Sequence, residues 1–255
     1  MSDVHCAAQQ GFAQAAQVYE RGRPEYPEAI RGWLLNALAL RAGSTAIDLG
    51  AGTGKFTRVL QHTGACVVAV EPVTAMLGQL RAGLPGVAAL AATAQKLPFR
   101  PAVADAVTCA QAFHWFAGAA ALTEIHRVLR PGGRLGLVWH VRDESVPWVA
   151  ALSALMRPYE GEVPRFHSGQ WREAFRGQLF GELHESRFAY QHVGTPQAVI
   201  IDRVLSVSFI AALPDERKAN VADRLRALIA GTPELRGREL IAFPYQTRAF
   251  CCTRQ

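Results

Sequence analysis

Several things are missing from this sequence. No apolar run reaches the roughly 20 residues that a helical membrane span needs, so no membrane partner is expected. Met1 to Gln10 is polar and lacks the basic-then-apolar order of a secretory leader. Cysteine is scarce and odd in number: five in 255 residues, at 6, 66, 109, 251 and 252, with no C-x-x-C. Neither a disulfide framework nor a zinc constellation is legible, so no metal is expected. Cys66 and Cys109 fall inside predicted strands and read as buried thiols; a reducing, cytoplasmic location follows. The net charge is +6, yet no lysine-rich tail or block carries it. Nucleic acid is therefore disfavoured as a partner, and the excess suits an anionic small substrate. Internal repeats and low-complexity segments are also absent.

What is present is enough apolar material, half of all residues, for one large domain or one domain with an appended lobe. The chain is organised around Thr45-Ala46-Ile47-Asp48-Leu49-Gly50-Ala51-Gly52-Thr53-Gly54-Lys55-Phe56. An apolar strand end runs into three alternate glycines and then a helical run. Such a unit places a ligand above the carboxyl ends of a parallel sheet. A dinucleotide turn wants G-x-G-x-x-G, and here Lys55 stands where the last glycine belongs; a P-loop needs Gly-Lys-Ser/Thr, which is missing. Asp48 stands two residues before the first glycine. A carboxylate there suits a sulfonium better than a phosphate. The pattern D-x-G-x-G-x-G points to S-adenosylmethionine.

Taken in order, residues 9–21 have a helical pattern with Phe12, Ala16 and Tyr19 along one face, broken by Arg23-Pro24-Glu25-Tyr26-Pro27 before a helix at about 28–40. A short helix ahead of the first strand can act as a lid. Helix 53–63 leads to strand 66–71, whose last residue, Glu71, is placed to accept ribose hydroxyls. Pro72 follows, then a helix carrying Met76, which could lie against a purine. Strand 87–92 ends at Thr93 and Ala94, next to the expected adenine position. Strand 104–110 gives way to Gln111-Ala112-Phe113-His114-Trp115-Phe116, a helix that stops at Arg130-Pro131-Gly132-Gly133, and an apolar strand from Arg134 to His140. Beyond it come a helix at 148–157, an insertion at 158–185, a strand at 187–193, helical patches at 196–211 and 214–230, and a strand at 239–252. The alternation of short strands with 10–15-residue helices predicts a doubly wound α/β sheet.

The motifs Asp48 to Gly54, Val70-Glu71-Pro72, Ala94 to Phe99 and Gln111 to Phe116 resemble those of the class I S-adenosylmethionine-dependent methyltransferases, type 11, within the trans-aconitate-methyltransferase-like small-molecule group. The resemblance covers about 40–140, with Tyr19, Arg23 to Pro27 and Val138 to Asp143 adding to it. It implies a Rossmann-like, mostly parallel seven-stranded sheet of order 3-2-1-4-5-7-6, the last strand antiparallel. It also implies S-adenosyl-L-methionine as cofactor, with residues 1–40 as a helical lid, 41–145 as the cofactor-binding core, and 146–255 completing the same domain and the acceptor pocket. By position, Asp48, Gly50, Gly52 and Thr53 would hold the methionine end, Glu71 and Pro72 the ribose, Met76, Thr93 and Ala94 the adenine, and Gln111 would approach the sulfonium. Tyr19, Arg23, Tyr26, Trp115 and Arg142 would face a small-molecule acceptor. Gln95 stands where the family often has Glu, and His140 where Asn is common. The implied reaction is in-line methyl transfer, expected at a carboxylate or hydroxyl oxygen. His114 is the first candidate for a general base and His140 the second. A nicotinamide oxidoreductase and a cofactor-binding protein without turnover are the rival readings. The oligomeric state is open, a homodimer included.

Overall fold

The computed structural model describes residues 23–255. The expected helix at 9–21, Tyr19 and most of the expected lid lie outside the described residues. Helix α1 (Ala29–Asn36) precedes strand β1 (Thr45–Leu49). Then come α2 (Lys55–Gln61), β2 (Cys66–Val70), α3 (Thr74–Gly83), β3 (Ala88–Leu90) and β4 (Ala104–Ala110). Helix α4 (Ala119–Val128) and β5 (Leu129–Arg142) follow, and α5 (Pro147–Met156) leads into the insertion. Strand β6 (His184–Gly194), α6 (Asp215–Gly231) and β7 (Ile241–Thr253) complete the fold.

The seven strands form one sheet in the order β3-β2-β1-β4-β5-β7-β6. β1 pairs in parallel with β2 and β4, whereas β7 runs antiparallel to β5 and β6. β1 and β4 are apolar almost throughout because helices cover both faces. Chain order reverses between β1 and β4, and the crevice for a ligand opens beyond their carboxyl ends.

Two cores flank the sheet. On one face Leu122, Ile125 and Val128 of α4, spaced at helical repeats, pack with Val107, Leu137, Trp139, Trp171 and Phe250. On the other, Ile30, Trp33 and Leu34 of α1 and Phe56 and Leu60 of α2 cover Ala46, Val67 and Ala106. A third cluster joins α5, α6 and Phe243 of β7 around Leu152, Ile200 and Leu225. The side chains of α4 also brace the loop after β3. Glu124 accepts the Leu97 N–H at 2.8 Å, and Arg127 donates to the carbonyls of Phe99 and Leu97 at 2.7 and 3.1 Å.

Several expectations need correction. Cys66 is exposed at the first residue of β2, before the strand enters the core. β5 begins at Leu129 and not at Arg134: Leu129 pairs with Ala104, and the chain then bulges through Pro131-Gly132-Gly133, with Gly132 at φ +73°, before pairing resumes at Arg134 opposite Ala106. The helical patch at 196–211 is three pieces: a π-helix at Gln197–Asp202 and short turns at Arg203–Leu205 and Ser208–Ala211. The insertion contains 3₁₀ turns at Arg157–Tyr159 and Gln170–Arg176.

Candidate active site

The glycine turn is shaped by close approach. The N–H groups of Gly50 and Ala51 both reach the Val70 carbonyl, at 2.8 and 3.1 Å, which folds the turn onto the end of β2. Gly50 has φ +72°, and a Cβ there would lie 2.6 Å from the Ala112 Cβ. Gly54 caps α2 at φ +90°, where a Cβ would meet Leu84 at 2.8 Å. Side chains are excluded at both positions by conformation and by space.

Two carboxylates hold this turn. Asp48 is 1% exposed and accepts hydroxyl hydrogen bonds from Thr57 at 2.7 Å and Thr108 at 3.2 Å. Burial pushes its carboxyl up to about 6, against the pull of the two hydroxyls. Glu71 is 5% exposed and accepts the Gly52 and Val73 N–H groups, each at 2.8 Å. Burial, with Asp48 adding repulsion, pushes it up to about 7 while the two N–H groups oppose. Two buried acids side by side are poor hosts for a phosphate and good hosts for a cation. The Thr53 hydroxyl, also buried, finds no protein partner among the described residues. Acid placement, unfilled hydroxyl and glycine cradle fit a sulfonium nucleoside.

A cavity of about 40 Å³ lies against the turn, lined by Pro24, Tyr26, Asp48, Gly50, Gly52 and Gln111 among others. Lys55, at the start of α2, pairs with Glu25 and ties the segment before α1 to the turn. A larger cavity of about 510 Å³ shares Arg23, Gln111, His140 and Arg203 with the small one. Its other walls include His114, Trp115, Trp139, Arg142, Arg165 and Tyr245. Gln111, between the two, adopts φ +57°, a rare conformation for a side-chain-bearing residue, fixed by its N–H bond to the Val138 carbonyl at 2.8 Å.

His114 accepts a hydrogen bond at Nδ1 from the Trp139 indole, at 3.0 Å. Burial and the nearby Arg165, Arg23 and His167 push its ring down to about 3. His140 is stacked between Tyr26 and Tyr190, and its Nδ1 lies 2.8 Å from the Thr247 hydroxyl. Burial, then Arg203, His192 and Arg23, push it to about 3 as well, with the Glu25 backbone acting the other way.

The residues expected at the site therefore fall into groups. Asp48, Gly50, Gly52, Thr53, Gln111, Tyr26, Arg23 and His140 line the small cavity; His114, Trp115 and Arg142 line the large one. Glu71 joins the turn through Gly52. Met76 is buried, its sulfur 3.9 Å from where a Cβ on Gly52 would stand. Pro72 follows Glu71, Thr93 bridges to Lys96 beyond β3, and Ala94 is turned into the core. Thr57, Thr108, Trp139 and Arg203 were not expected as site residues. Their roles depend on partners brought from other elements, which no local signal marks.

The methyltransferase domain family matches residues 47–137. An uncharacterized methyltransferase of Mycobacterium tuberculosis is 42% identical over 236 residues, 92% of each chain. An uncharacterized methyltransferase-like protein of Schizosaccharomyces pombe is 39% identical over 233 residues, 91% of each. The chain belongs to the methyltransferase family. Among solved structures, a candidate type II methyltransferase from Anaeromyxobacter dehalogenans is 27% identical, with a TM-score of 0.60 over 91% of this chain and 96% of its own. The methyltransferase thus has the class I sheet order that its motifs imply. Among its described residues no helix is long and apolar enough to cross a membrane.

Proposed function

We propose that this methyltransferase uses S-adenosylmethionine to methylate a small molecule at an oxygen. The carrying observation is the pair of buried carboxylates, Asp48 and Glu71, flanking a glycine turn against a cavity of about 40 Å³ that shares Gln111 and His140 with a larger one of about 510 Å³. That volume suits a small acceptor. The cofactor supplies a methyl group on a positively charged sulfur, so the protein's task is mainly alignment, a contribution of about 7–11 kcal/mol. In this reading Asp48, Gly50, Gly52 and Thr53 hold the methionine end, Glu71 and Pro72 the ribose, and Met76, Thr93 and Ala94 flank the adenine. Gln111 stands at the junction of the two cavities. Arg23, Tyr26, Trp115 and Arg142 face the acceptor, and the insertion supplies Arg165 and Phe166 to its wall.

Calorimetry with S-adenosylhomocysteine tests this. The wild type binds, and Asp48→Ala loses at least about tenfold in affinity, because Thr57 and Thr108 lose their shared partner and the turn loses its anchor, at about 1–3 kcal/mol. Unchanged affinity overturns the assignment. Nicotinamide dinucleotides should not compete.

A further inference from the structure

A groove of about 400 Å³ lies apart from both cavities and shares no wall residue with either. One wall is the π-helix, through Pro196, Gln197 and Ile201. The other is the end of α6, where Arg226, Ile229 and Ala230 share one helical face. Arg236 adds a cation from the turn that follows. Val193 and Leu240 are the two most exposed large apolar residues among the described residues, at 60% and 61%. They flank the Gly194–Ile241 pair of the β6–β7 ladder, close in sequence to the groove's Pro196 and Gly237. Exposed apolar side chains gathered beside charge mark a binding place. Arg226 is held by Asp223 at 2.7 Å, whereas the Arg236 guanidinium makes no ion pair or hydrogen bond with any other described residue. Apolar walls with an unengaged guanidinium at the rim match a molecule with an apolar chain and one carboxylate.

The second observation is the wall itself. The π-helix runs directly into the helical turn Arg203–Leu205. Ile201 lines the groove, and Arg203, two positions on, lines both cavities. Residues two apart lie about 200° around a helix, so this stretch carries the groove on one side and the candidate active site on the other. A π-turn holds one residue more than an α-turn, and its conversion would rotate the residues after it by about 100°. A side-chain bond braces the π form from outside: Gln197 Nε2 donates to Asp202 Oδ1 at 2.7 Å, the same five-residue spacing as the π-helical backbone bond. Gln197 also lines the groove, so a carboxylate seated there competes with Asp202 for its amide.

We propose that this groove is an effector site for a small amphipathic carboxylate. The apolar chain lies between the π-helix and α6, and the carboxylate meets Arg236 and Gln197. Occupancy is relayed to the candidate active site by a change of helical register that repositions Arg203. The relay rests on the cofactor assignment above; the groove does not. Two binding equilibria coupled in this way shift each other by the same factor.

The test uses the full chain, with and without saturating S-adenosylhomocysteine. Octanoate, octanol and octylamine are titrated below their aggregation limits and followed by amide NMR. Octanoate shifts the signals of 196–201 and 229–237 and binds about fivefold or more tightly than the other two. Arg236→Met erases that preference and Arg236→Lys restores part of it, with S-adenosylhomocysteine affinity in the absence of octanoate unchanged in both. Octanoate changes the S-adenosylhomocysteine dissociation constant by about fivefold or more, and the reverse experiment gives the same factor. Asp202→Ala, which removes the brace, brings that factor toward one while the preference for octanoate stays. Equal binding of the three probes, or shifts confined to other parts of the chain, overturns the site. An S-adenosylhomocysteine affinity that octanoate leaves unchanged overturns the relay. Failure of the wild type to bind S-adenosylhomocysteine overturns the cofactor assignment, and the relay with it, while the probe titrations still decide the groove.

Discussion

At the scale of single residues, Gly50 makes the sharpest demand. Gly50→Ala combines a left-handed φ with a 2.6 Å contact to Ala112, and should cost about 1–3 kcal/mol. Urea unfolding would measure it, together with loss of S-adenosylhomocysteine binding; a variant of full stability and affinity would mean the turn relaxes freely. The acids at 48 and 71 were readable because glycine spacing and a strand end mark their positions. Their partners were not. Thr108 comes from a strand 60 positions further along the chain, and the Trp139 bond to His114 crosses 25. A tautomer is decided by that one indole, which sequence cannot place.

Elements were legible where burial alone decides them. β1, β2 and β4 are largely apolar runs that end at Gly50, Glu71 and Gln111, and α4 shows Leu122, Ile125 and Val128 at helical spacing. Ile125 is fully buried, so Ile125→Ala should cost about 2–5 kcal/mol in denaturant midpoint terms, without shifting the pH profile. A loss under 1 kcal/mol would mean that the face between α4 and the sheet collapses around the gap. Legibility failed where pairing overrides local preference. Pro131 and two glycines read as a stop, yet β5 carries on through a bulge there and from Arg134 pairs in parallel with β4 and antiparallel with β7. The π-helix at Gln197–Asp202 bonds one residue further along than an α-helix does, and periodicity of the apolar residues cannot separate the two.

For the whole molecule, opposed titrations set the pH response. Asp48 and Glu71 are raised on folding, so their contribution is complete below about 4 and is lost as pH rises through 6 and 7. His114 and His140 are lowered, so theirs is complete above 6.5 and is lost as pH falls toward 3. Glu185, held down to about 2 by hydrogen bonds from Arg248 and Arg187, adds to the loss at acid pH. Thermal unfolding without ligand should therefore be nearly flat from pH 4.5 to 6 and fall steeply below 4. Glu71→Gln removes one acid term, and its melting temperature should rise with pH across that same window; a flat response would mean Glu71 titrates normally. The cavity itself could not be foreseen, since Arg23, Arg142, Arg165 and Arg203 meet only after the sheet and the insertion are in place. The brace from α4 carries a different lesson. Glu124 and Arg127 grip the back of residues 97–99, so the contour of that loop is dictated from outside the crevice. In the proposed reading, with the adenine flanked by Thr93 and Ala94 at the start of that loop, anyone retuning this protein toward an altered purine would find a handle on an outer helix.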